Sequence, residues 1–279
     1  MKTTITLSLL SLLSLSTSAC LEDAAQDDVA DGDAELDETE QAVTWTGLSP
    51  FYQTQTTNTV SCSFRDCRKD LGAAADMTCF LAGIKGSLSE GSSNYPAGAQ
   101  VFVSGTRWVL QMLNPFGSGI GARTVCIPNK TNRIISRAWH STDPVDVIPA
   151  GTSKRRCFLG GIWNYGTAAF SGFNTTVNVQ RNSNGTHTMG GVLPAGSNVR
   201  AYSTCVDLDV DLGGGAWGNG TPNNVSSVLA QNDGGVACGL TGIGGHIQEM
   251  NQGADITYAS PNWVWSISAY GSAYAHCFK

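Results

Sequence analysis

Residues able to do chemistry are few and scattered in this chain. Four histidines, His140, His187, His246 and His276, stand in four unlike contexts and at no metal-ligand spacing. No Ser has Gly both two before and two after it, so the nucleophile elbow of esterases is absent. Gly213-x-Gly215-x-x-Gly218 has the spacing of a dinucleotide fingerprint without its strand–helix–strand context, and reads as a loop between repeats. Glu90 and Glu249 are the only Glu beyond residue 40. A glycosidase needs two carboxyl groups flanking one bond, and nothing in the sequence pairs these two. In Asp207-Leu208-Asp209-Val210-Asp211, strand alternation would put three Asp on one face. Carboxylates with neighbouring carbonyls suit calcium; the polar outer face of an extended strand is the bland alternative. No other cofactor is implied. A hydrolytic site, if the chain has one, is expected in non-repeated loops around His140, Asp143 and Asp146.

Binding chemistry has more to offer. Trp108 and Trp263 begin returning strands in two similar segments, with Arg107 and Asn262 beside them, and Trp163 and Tyr165 follow a third. Aromatic faces stack on sugar rings while Arg and Asn hydrogen-bond the hydroxyls; cross-strand packing is the competing role for the same residues. Trp45, Trp139 and Trp217 recur in like places and are assigned to packing. Lys154-Arg155-Arg156 could meet an anionic glycan or lipid head group, with a solvated surface as the favoured reading.

Three segments must position these residues. Cys79-Phe80-Leu81-Ala82-Gly83-Ile84 recurs as Cys157-Phe158-Leu159-Gly160-Gly161-Ile162 and as Cys238-Gly239-Leu240-Thr241-Gly242-Ile243. Each unit closes on a second pattern, Ala122 to Cys126, Ala201 to Cys205 and Ala273 to Cys277. Between them lie Val101/Val103, Val177/Val179 and Ile256/Tyr258, alternating with polar neighbours at period two and followed by turn residues. Several landmarks in one order mark a threefold duplication. The spacing predicts an all-β fold of three tandem antiparallel units, each stapled by a disulfide and carrying a central hairpin. Two arrangements fit: closure about a pseudo-threefold axis, as in a β-prism, or a row of beads. The short inter-unit links favour close packing. Asp66 to Asp76 offers the one short helical stretch.

Cysteine arithmetic follows the repeat. Setting Cys20 aside, eight Cys remain. Each unit opens and closes on one, suggesting Cys79–Cys126, Cys157–Cys205 and Cys238–Cys277, and leaving Cys62 and Cys67 for a local loop. Bridges of this kind belong to an oxidising compartment.

The N-terminus fits that compartment. Lys2, an apolar stretch from Ile5 to Leu15 and the small residues Thr17-Ser18-Ala19 form a signal peptide over 1–19. Cys20 at the cleavage point resembles the acylated residue of a bacterial lipoprotein, although Thr17 stands where that motif has Leu. Residues 21–40 hold ten acids and no base, so 20–42 reads as an extended acidic tether. Beyond residue 40 there are 12 acids and 15 bases, which gives no strongly basic face and argues against nucleic acid as a partner. Charged residues make up only 14% and Gly is frequent, which excludes a coiled coil. The repeats are expected over 43–132, 133–212 and 213–279.

With these motifs in place, the chain resembles secreted bacterial surface lipoproteins of myxobacterial type with tandem Cys-Phe-Leu-x-Gly-Ile repeats. The resemblance implies architecture and no activity. The expected function is a lectin-like or adhesin surface protein that binds a glycan or another surface polymer and touches the membrane through its lipid anchor alone. A secreted hydrolase and a structural envelope protein are the alternatives, and the oligomeric state is open.

Overall fold

The structure, a computed structural model, describes residues 51–55, 66–114, 119–128, 133–208, 210–217, 227–231, 236–249, 252–259 and 264–278. The signal segment 1–19, the tether 20–42, Cys20 and Trp45 lie outside the described residues, as do Cys62, Asp209, Asn262 and Trp263. Residues 45–279 form one compact unit. Among the described residues every regular element is a strand.

Among the described residues each repeat contributes six strands. Unit one contributes β1 (Phe51–Gln55), β2 (Cys67–Ala73), β3 (Met77–Gly86), β4 (Ala97–Ser104), β5 (Arg107–Leu113) and β6 (Ile120–Pro128). Unit two contributes β7 (Ile134–His140), β8 (Asp146–Ile148), β9 (Arg155–Asn164), β10 (Thr176–Arg181), β11 (His187–Val192) and β12 (Val199–Asp207). Unit three contributes β13 (Asp211–Trp217), β14 (Ser227–Gln231), β15 (Ala237–Gly244), β16 (Gly253–Ala259), β17 (Val264–Ala269) and β18 (Ser272–Phe278). The expected hairpins are β4–β5, β10–β11 and β16–β17. The helix expected over Asp66 to Asp76 is instead β2. There the exposed and half-buried residues alternate from Cys67 to Asp70, and Gly72 adopts a positive φ of 123° beside a register shift.

No unit forms a sheet of its own, which corrects the expectation that each antiparallel unit is a small sheet or sandwich by itself. The three six-stranded sheets run β1-β6-β3-β16-β17-β14, β2-β5-β4-β9-β12-β7 and β13-β18-β15-β10-β11-β8. Each joins the first, sixth and third strands of one unit to the fourth, fifth and second of another. The exchange is cyclic: unit one pairs with three, two with one, and three with two. A row of beads is therefore excluded.

The repeat motif explains the exchange. Its third strand is flanked on one side by its own unit's sixth strand and on the other by a neighbour's fourth, so β3, β9 and β15 are buried almost throughout. In all three the residue before the motif Gly is skipped by the ladder: Ala82, Gly160 and Thr241. The motif Gly that follows faces a neighbour's polar residue: Gly83 opposite Asp255, Gly161 opposite Gln100, Gly242 opposite Asn178. A Cβ there would meet that side chain at 2.6–2.8 Å, so this Gly is required by close approach between units.

Disulfides sit at one place in each unit. Cys79–Cys126, Cys157–Cys205 and Cys238–Cys277 each join directly opposed residues of the third and sixth strands, with Cα atoms 4.1, 3.9 and 4.1 Å apart. Closing loops of this length is worth about 4 kcal/mol each in the chain-entropy account. Cys67 is also disulfide-bonded.

Next to each opening Cys, the third strands meet at the centre. Phe80 and Phe158 stack with ring centroids 4.3 Å apart. The equivalent residue of unit three is Gly239, where a Cβ would lie 2.5–2.7 Å from both rings. Two rings fill a place that three units share, and the third unit must supply nothing. It supplies Phe278 instead, one residue beyond its closing Cys, where the other units have Ile127 and Val206. That ring lies 5.8 Å from Phe80 and 5.1 Å from Phe158.

This predicts the effect of the smallest possible addition. Gly239→Ala should destabilise by about 1–3 kcal/mol through overpacking, read as a fall of several degrees in Tm of the oxidised protein. Gly172→Ala, where a Cβ would meet nothing within 4 Å, should change Tm little.

Candidate functional site

At the heart of unit two lies a departure from the repeat. Strand register places Trp108 of β5 opposite Val103, and the corresponding pair in unit two is His187 opposite Arg181. In unit three the same register puts Trp265, not Trp263, opposite Tyr258. Trp108 is fully buried and its indole N–H donates to the Met77 carbonyl at 2.7 Å. His187 is smaller and equally buried. Where the larger ring would stand, an open cleft of about 430 Å³ is found.

Five strands and the start of β9 line it. Arg156 comes from β9, Arg181 from β10 and His187 from β11, while Tyr274 and His276 come from β18. Gly214 and Gly215 of edge strand β13 line it beside β18, and a Cβ at Gly214 would lie 3.1 Å from the His276 ring. Arg156 is held in place: it donates to the carbonyls of Ser153 and Arg155 and pairs with Asp211. Arg181 is exposed and donates to the Ser153 carbonyl at 3.0 Å. Asp211 also contacts His276 Nε2, and Arg156 Nε–H points at that same nitrogen from 3.2 Å. The nitrogen can serve one of these partners at a time.

Positive charge dominates the electrostatics. Burial pushes the Arg156 guanidinium below its ordinary range, and Arg181 adds to this. Burial, then Arg156, Arg181, Arg155 and His276, push His187 down to about 4. His276 is likewise pushed down to about 4, first by burial and then by Arg156 and Arg181. The Asp211 carboxylate favours a proton on His276, but its charge is already engaged by Arg156, so the burial and the guanidiniums prevail. Both rings are therefore neutral at pH 7. Neither ring nitrogen of His187 has a hydrogen-bond partner among the described residues, although both are buried. A neutral imidazole here holds one donor and one acceptor in reserve.

Most of the expected site residues are placed elsewhere. Trp108 is core, and Trp163, 4% exposed, donates to Gln100 Oε1 at 2.7 Å across the junction of units one and two. Neither can offer a face to a sugar, which corrects both assignments. Trp163 stands opposite Gly98 because a full-sized residue on one side of that junction requires a glycine on the other. Arg107 pairs with Asp70 on the surface. Tyr165 is half-buried with the Arg200 guanidinium 5.0 Å over its ring. Trp139 and Trp217 are buried.

The acidic expectations fare similarly. Asp207 ends β12 and Asp211 begins β13, in different sheets, so they do not share a strand face. Asp207 pairs with Arg155 at 2.9 Å, both nearly buried. Arg155 and Arg156 are thus ion-paired and largely covered, in place of the solvated surface expected. Among the described residues no three His, Cys, Asp or Glu gather to hold a metal. His140 bonds Thr142 and Asn198, whereas Asp146 is gripped by two nitrogens of Arg137 at 2.7 Å, so the expected hydrolytic trio is not assembled. Gly213 and Gly215 belong to β13, away from any helix.

No protein-family model matches the chain, and no curated protein or solved structure is significantly similar to it. What the fold and site define is a cyclically exchanged, disulfide-stapled β body with a cationic cleft in the sheet that its second and third units share.

The buried, neutral His187 makes a pH prediction. Its folded pKa lies below the ordinary 6.5, so the unfolded chain binds more protons in that window. The stability it lends is complete above about pH 6.5 and is lost as pH falls toward 4. Tm should drop by several degrees from pH 7 to 4.5, and the drop should be smaller in His187→Trp. Equal drops in the two proteins would show that His187 is protonated in the fold.

Proposed function

We propose that this is an exported, lipid-anchored surface protein that binds a glycan or related surface polymer through the cleft beside His187. The signal segment, Cys20 and the acidic tether support delivery to the cell surface, with the β body held off the membrane. The three buried disulfides are compatible with an oxidising compartment. The observation that carries the binding reading is His187, a buried side chain with unused hydrogen-bonding capacity lining an open recess. Leaving such groups unsatisfied costs on the order of 1–3 kcal/mol, a cost that a ligand offering hydroxyl or oxyanion partners would recover.

The rest of the lining suits polymer recognition. Tyr274 is 37% exposed beside the cleft and offers an aromatic surface, and Thr241, Gln180 and Arg181 offer hydrogen bonds around it. No carboxylate is among the described lining residues, and the nearby Asp211 is engaged by two partners, so hydrolysis by a carboxyl pair has less support than binding. The other units differ at the ring position, so avidity through three equal sites is not part of this reading.

Retention on polysaccharides tests it. The full chain should be pulled down by at least one of a panel of insoluble neutral and acidic polysaccharides, and His187→Trp should reduce that retention at least tenfold. A folded protein retained by no member of the panel, or retained equally after His187→Trp, would overturn the assignment of this cleft.

A further inference from the structure

Resting on the binding reading above, the geometry points to an oxyanion as the group the cleft recognises: a carboxylate or sulfate substituent of an acidic polymer, held by Arg156, Arg181 and His187. One of these, Arg156, is held by Asp211 when no ligand is bound. Three observations converge. Two guanidiniums and a buried imidazole with both nitrogens unpartnered line the same recess. The protein already sets an oxyanion of its own against two of the lining residues, since the Asp211 carboxylate touches both Arg156 and His276. Asp211 is tethered only locally, starting an edge strand, with its Oδ1 accepting from the Gly213 N–H at 3.1 Å.

Charge then argues the class. A neutral sugar entering the cleft would leave Arg181 without an anionic partner. An oxyanion brings charge to two guanidiniums, that of Arg156 partly dehydrated and that of Arg181 exposed, and charge-assisted hydrogen bonds are roughly twice as strong as neutral ones. His187, uncharged at neutral pH, adds one N–H donor to an oxygen. Asp211 competes for Arg156, and the share of molecules in which it holds that guanidinium lowers the apparent affinity of any incoming anion. Arg156 cannot supply its contribution to a ligand and to Asp211 together. The contact is therefore a built-in competitor that selects for ligands presenting several anionic groups or a strong one.

Titration calorimetry with the full chain tests this, using dextran sulfate for sulfate esters, polygalacturonate for carboxylates and neutral dextran as the control, with inorganic sulfate as a single-group probe. Saturable binding of at least one acidic polymer is expected, with neutral dextran at least tenfold weaker. Arg181→Met, an exposed position that should leave the fold intact, should weaken binding at least tenfold. His187→Trp should abolish it by filling the recess. Asp211→Asn keeps the shape and the acceptor for Gly213 while removing the competing charge, and should tighten binding about tenfold. Weaker or unchanged binding in Asp211→Asn overturns the competitor role. Equal affinity for neutral and sulfated dextran, both lost in His187→Trp, overturns the oxyanion while leaving the glycan reading standing. Sulfate binding lost in Arg181→Met, with no polymer bound, keeps the anion site and overturns the polymer reading. Anion binding indifferent to all three variants marks non-specific attraction and overturns the site.

Discussion

Three strands of one repeated sequence cannot pack on one another with identical side chains. β3, β9 and β15 bring the residue after each opening Cys to a common centre, and that centre holds two stacked phenyl rings. With Phe80 and Phe158 in place, Gly239 is the residue that fits, and Phe278 comes from the end of the chain to fill the remaining side of the cluster. The asymmetry of the sequence is thus required by the symmetry of the fold. Everything outward depends on this contact, because the same three strands carry the disulfides on one edge and accept a neighbour's hairpin on the other.

The second constraint lies at those junctions. Each is a short antiparallel ladder of three or four residue pairs between different units. In every one a glycine stands opposite a larger residue: Gly253 faces Lys85, Gly98 faces Trp163, and Gly244 faces Thr176. The side that carries the glycine changes, but the sum of the two volumes stays small. Polar residues cross beside it. At one junction Asp255 receives Arg123 at 2.9 Å and Lys85 at 3.3 Å; burial raises the Asp255 pKa, and those two cations oppose the shift. At another, Gln100 receives the Trp163 indole. Register between units is therefore fixed by specific pairs, different at each junction, which disfavours pairing the wrong units.

Much of this was legible in residue spacing, and the part that was not has identifiable causes. Cysteine positions relative to the repeat gave the three bridges. Period-two alternation located the hairpins, and the small residues of the closing strands marked buried faces: Ala122, Thr124 and Cys126 are all covered. Exchange of half-sheets left no mark, because a strand's alternation is the same whether its partner belongs to its own unit or to the next. Aromatic residues misled for a related reason. Trp108 and Trp163 have the polar neighbours Arg107 and Asn164 in sequence, but their indole N–H groups find a carbonyl and an amide oxygen inside the protein, so burial costs them little. The basic triplet at Lys154 misled in the opposite sense, since the acids that cover Arg155 and Arg156, Asp207 and Asp211, follow about fifty residues later.

The cleft itself had a signal that spacing alone could not read. His187 was visibly near the place of Trp108, but near is not enough: only the register of β10 against β11 puts it in the same hole. Once it is there, the consequence is physical rather than comparative. A large apolar ring in unit one closes its site and satisfies its one donor on the Met77 carbonyl. In unit two the residue corresponding to Met77 is Arg155, whose carbonyl already accepts from the Arg156 guanidinium, so a tryptophan there would compete with that cation for its acceptor. Histidine, smaller and able to stay neutral there, leaves volume, unused hydrogen-bonding capacity and uncompensated positive potential in one place. A repeat protein with three equivalent units can lose the packing of one such position because the disulfide and the central phenyl cluster still hold that unit. That tolerance allows a cleft to open where the repeat is broken, at one junction between units, without disturbing the exchange that holds the three together.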